Sequence, residues 1–378
     1  MNTRSSTSTL FVTWDGGGNL PPALGIAAEV ERRGGTARIL GHERQRAAVE
    51  AAGLRFQSFA RGRHWDSSQP ASTVASLRGL TGVFTDRGIA EDLLEAAAGE
   101  PTDAVVVDCL LFRAIQDAAA SGLATVSLVH TFQQFLVGNT ARGPIGLISS
   151  LRGVRPKTAW AAAQLSLICA LAELDPATSG SLSPSALHIG PVWQGRPAPA
   201  VMSPGRPRVL VSLSTCWFPG QTETLQSVLD AVGQLEVDAV VTTGPSLDPA
   251  ELRAAGNTEV LTYADHGELM KDVSLVVGHG GHSTAMRALS YDLPMLILPM
   301  HPMLDQSMVG QAIAACGAGR VLPRSAPPAD IAAAVDELSH DGPHRTAAAR
   351  LGAVIREHDG AALAVDRIEA LVASRHQG

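Results

Sequence analysis

An α/β protein built of two doubly wound halves is what this sequence predicts, on three observations. Short apolar runs alternate with longer segments of helical period, the alternation restarts near residue 208, and a proline-dense segment separates the two stretches. A strand covered on both faces reads as a continuous Val, Ile and Leu run, so the pattern predicts mostly parallel sheets with helices on either side.

The elements follow in order. Leu10–Thr13 is the first predicted strand, and a Gly/Pro loop runs from Trp14 to Pro22. A helix follows on which Ala23, Ile26, Ala27 and Val30 share one face, and Gly34-Gly35 stops it. Further strands are predicted at Ala37–Leu40, Ala104–Asp108 and Ala124–His130. Pro191, Pro197, Pro199, Pro204 and Pro207 then make a density that neither helix nor central strand tolerates. After them come strands at Val209–Leu213, Ala239–Thr242, Val260–Thr262, Leu275–Val277 and Met295–Leu298, with a helix around Thr222–Leu235 and an alanine-rich helical end. The predicted division is a first domain over 1–190, a linker over 191–207, a second domain over 208–360, and a last helix, 361–378, that returns to pack on the first domain.

Composition narrows the function. Lys+Arg total 29 against Asp+Glu 36, a net charge of −7, with no run of cations. Nucleic-acid binding is not expected, because phosphate contacts need clustered cations. No apolar stretch approaches about 20 residues and the start, Met1–Thr9, is polar, so no membrane insertion and a cytoplasmic location are expected. Cys109, Cys169, Cys216 and Cys316 lie far apart, without a C-x-x-C pair to signal a disulfide framework or a zinc site.

The segment Val276-Val277-Gly278-His279-Gly280-Gly281-His282-Ser283-Thr284 carries the most chemistry. An apolar strand enters a glycine turn and then a helix, which gathers backbone N–H groups, hydroxyls and a positive helix end around one point, as a phosphate or diphosphate requires. The same glycines also suit a plain tight turn, with Ser283 or Thr284 capping the helix. His279-x-x-His282 has a conceivable metal spacing but no third ligand nearby, so no metal is expected.

His279-Gly280-Gly281-x-Ser283-Thr284, followed by Pro294-Met295-Leu296-Ile297-Leu298-Pro299 and Asp305-Gln306, resembles the donor-binding signature of the GT-B glycosyltransferases of family 1, the natural-product type. Leu261–Leu269 falls where that family has an aromatic-Val-Pro-His segment. The resemblance implies two Rossmann-like domains facing each other across a cleft. It also implies transfer, with inversion, of a sugar from a nucleoside diphosphate to a hydroxyl of a small apolar acceptor. It assigns His279, Ser283 and Thr284 to the diphosphate, with Gly280 and Gly281 allowing close approach. Tyr263 and Ala264 would lie near the nucleobase, Asp305 and Gln306 would hold sugar hydroxyls, and Ser214, Thr215 and Thr243 would border the donor. Asp305 also reads as a helix N-cap, and Tyr263 as a packing residue. No cofactor beyond the sugar nucleotide is implied, and a homodimer is left open.

Two departures from that pattern matter. Position 287 is Arg where many members carry a Glu that accepts from both ribose hydroxyls; Arg has no acceptor, so the reading leans to dTDP, with UDP and GDP open. In the first loop, Asn19 stands where the family has the His that deprotonates the acceptor, and an amide takes no proton near neutral pH. Asp108 matches the carboxylate that orients that His. Three explanations stay open: Asp15 as base, Asp108 or His130 as base, or an acidic acceptor that needs only positioning. Asp15 also reads as a loop stabiliser, and His130 as a core residue. Trp65, Phe84, Phe132 and Phe135, in the stretches 56–84 and 131–151, suggest an apolar acceptor pocket or plain core.

Other readings are weaker. Gly16-x-Gly18 lacks the third glycine of a dinucleotide fingerprint, and no acidic residue ends the second strand. Gly281-His282-Ser283-Thr284-Ala285 resembles the nucleophile elbow of an α/β-hydrolase, but its fifth position is Ala where that motif needs Gly. A non-catalytic, glycosyltransferase-like helper that lost its base is the alternative that Asn19 favours.

Overall fold

The computed structural model describes residues 7–177, 185–201 and 205–376. Residues 202–204 of the expected linker and most of the polar start lie outside the described residues. Two compact units result, and each has its own parallel sheet and apolar core.

The first unit takes the described residues up to Asp66, then Thr73–Gly195, and the chain from Asp359 onward. Its strands are β1 (Ser8–Val12), β2 (Thr36–Gly41), β3 (Arg55–Ser58), β4 (Ala104–Asp108), β5 (Ala124–Val129), β6 (Leu165–Ile168) and β7 (Ala186–His188). They lie in the order β3-β2-β1-β4-β5-β6-β7, all described pairings being parallel. The order reverses between β1 and β4, and open α/β sheets leave a crevice at the carboxyl ends of such neighbours.

The helix Leu20–Arg32 begins with Pro21 and Pro22 in its first turn, where a missing N–H costs nothing, and Gly34 in the left-handed region (φ 86°) ends it. Ile26, Ala27 and Val30 on its buried face meet Ala364, Val365 and Ile368 of the last helix, Gly360–His376. Residues 191–195, expected as linker, group with this unit because Val192 is buried in its core, against Gly25.

The second unit takes Arg196–His358 together with the short segment Ser67–Ser72, whose Ser67 carbonyl accepts from the Trp217 N–H at 3.0 Å. Nothing in the composition of 67–72 marks it as belonging there. The strands of this unit are β8 (Arg208–Ser212), β9 (Asp238–Thr242), β10 (Thr258–Leu261), β11 (Leu275–Gly278), β12 (Met295–Ile297) and β13 (Gly319–Val321), in the order β10-β9-β8-β11-β12-β13. The reversal here falls between β8 and β11, which pair with Gly278 opposite Ser212. Val209, Val211, Val277 and Leu296 point from this sheet into the core with Val228, Leu229 and Val335 from its helices. Among the described residues no helix is long and apolar enough to cross a membrane.

Candidate functional site

The carboxyl edge of the second sheet carries every donor-site residue named from the sequence. Ser214 and Thr215 follow β8, Thr243 and Gly244 follow β9, Tyr263 and Ala264 follow β10, His279–Thr284 follow β11, and Asp305-Gln306 come after β12. At the centre, Gly280 sits in the left-handed region (φ 84°), where a Cβ would lie 2.7 Å from the Gln306 carbonyl and 2.8 Å from Ile297. The helix His282–Ser290 starts there. Gly281 is its N-cap, with no side-chain cap, so neither Ser283 nor Thr284 serves in that role.

His279 stands at the mouth of this turn. Its Nδ1 is sealed from solvent without a hydrogen-bond partner, and burial pushes the ring down to about 4, so it is neutral at pH 7 and keeps one N–H to donate. A buried polar atom left unmet in a turn of this kind fits a ligand oxygen. The Phe218 ring lies 6.1 Å from His279 and 5.9 Å from His301, two neighbours that no motif in the chain singles out.

The other named residues divide by what their side chains already do. Tyr263 is 80% exposed, a ring face open to a planar partner, and Thr215 is exposed. Ser214 Oγ accepts from the Cys216 N–H at 2.9 Å, and the Thr243 hydroxyl turns onto the Gly244 carbonyl at 3.2 Å. Gln306 differs from its expected role in one respect. Its buried Oε1 accepts from the N–H groups of Met300 (2.7 Å) and His301 (2.9 Å), so that oxygen fastens its own loop and is not offered to a sugar. Asp305 occupies the N-cap position of Gln306–Ala315 without capping it through its side chain. Arg287 lies 3.8 Å from Asp265, and a Cβ on Gly267 would collide with its guanidinium. His266 meets Thr242 Oγ1 at 3.0 Å, and burial together with Arg287 pushes its ring below the usual range.

In the first unit the carboxyl ends of β1, β4 and β5 bring Asn19, Asp108 and His130 together. The buried Asn19 amide donates from Nδ2 to Asp108 Oδ2 (2.8 Å), the Trp14 carbonyl (3.0 Å) and Thr13 Oγ1 (3.1 Å). Asp108 Oδ1 accepts from the Leu110 N–H at 2.9 Å, and Oδ2 lies 3.3 Å from His130 Nδ1. Cys109 Sγ lies 3.7 Å from the same nitrogen, and burial pushes its thiol up, so it stays neutral. Burial opposes a charge on His130, yet the Asp108 carboxylate and the hydrogen bonds at Nδ1 outweigh it and hold the imidazole well above its ordinary value. Asp108, Cys109 and His130 offer ligand atoms within 4.8 Å of one another, a spacing a metal would also accept. Both Asp108 oxygens already accept hydrogen bonds, and the arrangement reads first as a proton-transfer pair.

Asp15 is placed differently. Its carboxylate pairs with Arg44 at 3.3 Å, and Arg44 in turn holds Asp66 at 2.7 Å. For the aromatics, read from the sequence as acceptor pocket or core, burial favours core for three of the four. Phe84, Phe132 and Phe135 are buried, and Trp14, Phe84, Phe112 and Trp160 form an edge-to-face chain with centroids 5.1, 5.6 and 5.7 Å apart. Rings packed in this way are core, because interior rings gain most from edge-to-face contact with one another. Trp65 alone of the four is partly exposed, its Nε1 donating to the Asp15 carbonyl at 2.9 Å.

Residues 226–369 match the family described as "Erythromycin biosynthesis protein CIII-like, C-terminal domain". An uncharacterized glycosyltransferase of Methanosarcina acetivorans is 32% identical over 126 residues, 33% of each chain. Tylactone mycaminosyltransferase of Streptomyces fradiae is 27% identical over 220 residues, 54% of this chain and 47% of the relative. Among solved structures, CalG4, the calicheamicin glycosyltransferase, superposes with a TM-score of 0.74 at 22% identity over 99% of each chain. This chain is similar in sequence to natural-product glycosyltransferases over part of its length and shares their fold over nearly all of it. Its two units are the two Rossmann-like halves of the GT-B fold. A second GT-B structure, VinC, solved in complex with dTDP, superposes with a TM-score of 0.70 at 19% identity, over 97% of this chain and all of that one. The sequence matches span less than half the length of these two curated relatives.

Proposed function

We propose that this chain is a family 1 glycosyltransferase that moves a sugar, with inversion, from a nucleoside diphosphate sugar to a hydroxyl of a small apolar natural product, dTDP being preferred to UDP. The observation that carries the reading is the turn at Gly280. A left-handed glycine, the start of a helix and a neutral His279 with an unmet buried nitrogen converge at the point where the strand order reverses. The charge that grows on the β-phosphate as the glycosidic bond breaks is met there by backbone N–H groups and by the His279 donor. No divalent ion is required for that, and activity is expected to persist in EDTA. The exposed Tyr263 ring supports stacking on a nucleobase. The dTDP preference draws on Arg287, which stands near Asp265 and supplies no acceptor for a ribose 2′-hydroxyl, and on dTDP being the nucleotide that VinC holds.

Calorimetric titration with dTDP, UDP and GDP tests the reading. Wild type is expected to bind dTDP tightest, and His279→Ala to weaken it about tenfold or more, the worth of one hydrogen bond to a charged group. Equal affinity in the variant would remove His279 from the diphosphate site. Asn19 at the usual base position favours a second reading, a non-catalytic helper. Sugar transfer by the purified chain, read by mass spectrometry with dTDP-glucose and UDP-glucose and a panel of phenolic and macrolide acceptors, separates the two.

A further inference from the structure

We propose that His130, delivered from the end of β5, is the catalytic base of this chain, with Asp108 orienting it and Asn19 acting as a positioning residue that holds Asp108. The assignment rests on the glycosyl-transfer reading above and deepens it. Asn19 has no proton-accepting nitrogen, and its amide is spent on three acceptors, one of them Asp108 Oδ2. Replacing an imidazole by an amide at this position removes the base and leaves the orienting carboxylate in place with a donor still attached to it. A second imidazole fills the gap from the neighbouring strand. β5 pairs with β4 so that Leu128 lies opposite Asp108, and the chain turns just beyond, which brings His130 Nδ1 to 3.3 Å from Oδ2.

The tautomer follows from the partners. With Nδ1–H facing the carboxylate, the lone pair sits on Nε2, and the His130 side chain, 15% exposed, reaches solvent. The chain just after Asp108 is tied down: the Cys109 carbonyl accepts from the buried Trp160 Nε1 at 2.7 Å and the Cys109 N–H donates to the Leu128 carbonyl at 3.0 Å. The titratable groups facing the ring are Asp108 and Cys109, and only the first brings charge near neutral pH. Asp15, the carboxylate of the first loop, is engaged by Arg44.

In the step itself, the acceptor O–H proton moves to Nε2 while the oxygen bonds the anomeric carbon. The bond from that carbon to the β-phosphate oxygen breaks, its electron pair leaves with the nucleoside diphosphate, and the imidazolium formed faces Asp108 until its proton passes to water. Because the Asp108 carboxylate favours the charged ring, the acid limb of kcat/KM lies above pH 6.5, the ordinary value for His.

Two measurements test this. In chain labelled with 15N-histidine, the His130 signal is assigned by its loss in His130→Gln. Its midpoint is expected above pH 6.5 in wild type and lower by about one unit or more in Asp108→Asn. In the transfer assay with dTDP-glucose and a macrolide alcohol from the panel, whose hydroxyl does not ionise near neutral pH, or with UDP-glucose where that is the better donor, His130→Gln is expected to lower kcat ~100-fold or more. Its dTDP affinity should stay within about twofold of wild type, and the wild-type acid limb should track the NMR midpoint. An undiminished kcat in His130→Gln, an inactive Asp15→Asn beside an active His130→Gln, or a midpoint indifferent to Asp108→Asn overturns the assignment while leaving glycosyl transfer standing. If wild type binds no nucleotide and moves no sugar, the transfer reading fails and the base assignment with it.

Discussion

Gly280 shows how one residue fixes a turn. Its backbone is left-handed, and a Cβ here would lie 2.7 Å from the Gln306 carbonyl, which leaves no room for a side chain. Gly280→Ala is expected to cost about 1–3 kcal/mol and to abolish dTDP binding, which urea unfolding and calorimetry would read. Protons act at the same scale, in opposite senses at two histidines. His279 is pushed down to about 4 by burial, so its contribution to stability is full above pH 6.5 and is lost as pH falls toward 4. His130 is raised, against its burial, chiefly by Asp108, so its contribution is present below pH 6.5 and is lost as pH rises through the raised value. Urea midpoints measured across pH should therefore flatten on the acid side in His279→Gln and on the alkaline side in His130→Gln. The glycine turn and the amide at position 19 are readable from sequence, because each is a matter of residue type. The neighbours of His279 and the commitment of Gln306 Oε1 are not, because they depend on where separate loops meet.

Elements are legible where burial is two-sided. β4 is found where its apolar run predicts, and β1, β2, β8, β9 and β11 within a residue or two, since Val- and Leu-rich runs leave no other register. The strands without a sequence signal are mostly edges or very short. Arg55–Ser58 alternates exposed and half-buried residues at one edge, and Gly319–Val321 has three residues. Leu165–Ile168 is buried but follows the helix Pro156–Ala162 almost directly, without a glycine to mark the change. The last helix gives a test at this scale. Ile368 is fully buried against the first unit, and Ile368→Ala is expected to destabilise that unit by about 2–5 kcal/mol, visible as a lowered denaturation midpoint. An unshifted midpoint would mean that the helix contributes little to the core.

Across the molecule, the same topological device occurs twice. Each sheet reverses its strand order once, and each reversal carries a cluster of polar side chains: Asn19 and Asp108 at β1/β4, His279–Thr284 and Ser214 at β8/β11. A ligand that binds only the folded second unit stabilises it by about 2.7 kcal/mol at a hundredfold excess over Kd. Hydrogen exchange with and without dTDP should then slow at residues 213–220, 243–247, 262–268 and 279–285; slowing confined to the first sheet would overturn the donor assignment. Periodicity, composition and the glycine-rich turn are local properties, and they suffice to specify two α/β halves and the strand-to-helix turn at Gly280. Strand order is not local, and with it come the approach of His130 to Asp108, the engagement of Asp15 by Arg44 and the burial of the aromatic chain. These emerge only on folding, because contacts between residues far apart in the chain are set by how sheets are assembled and leave no periodic trace along it.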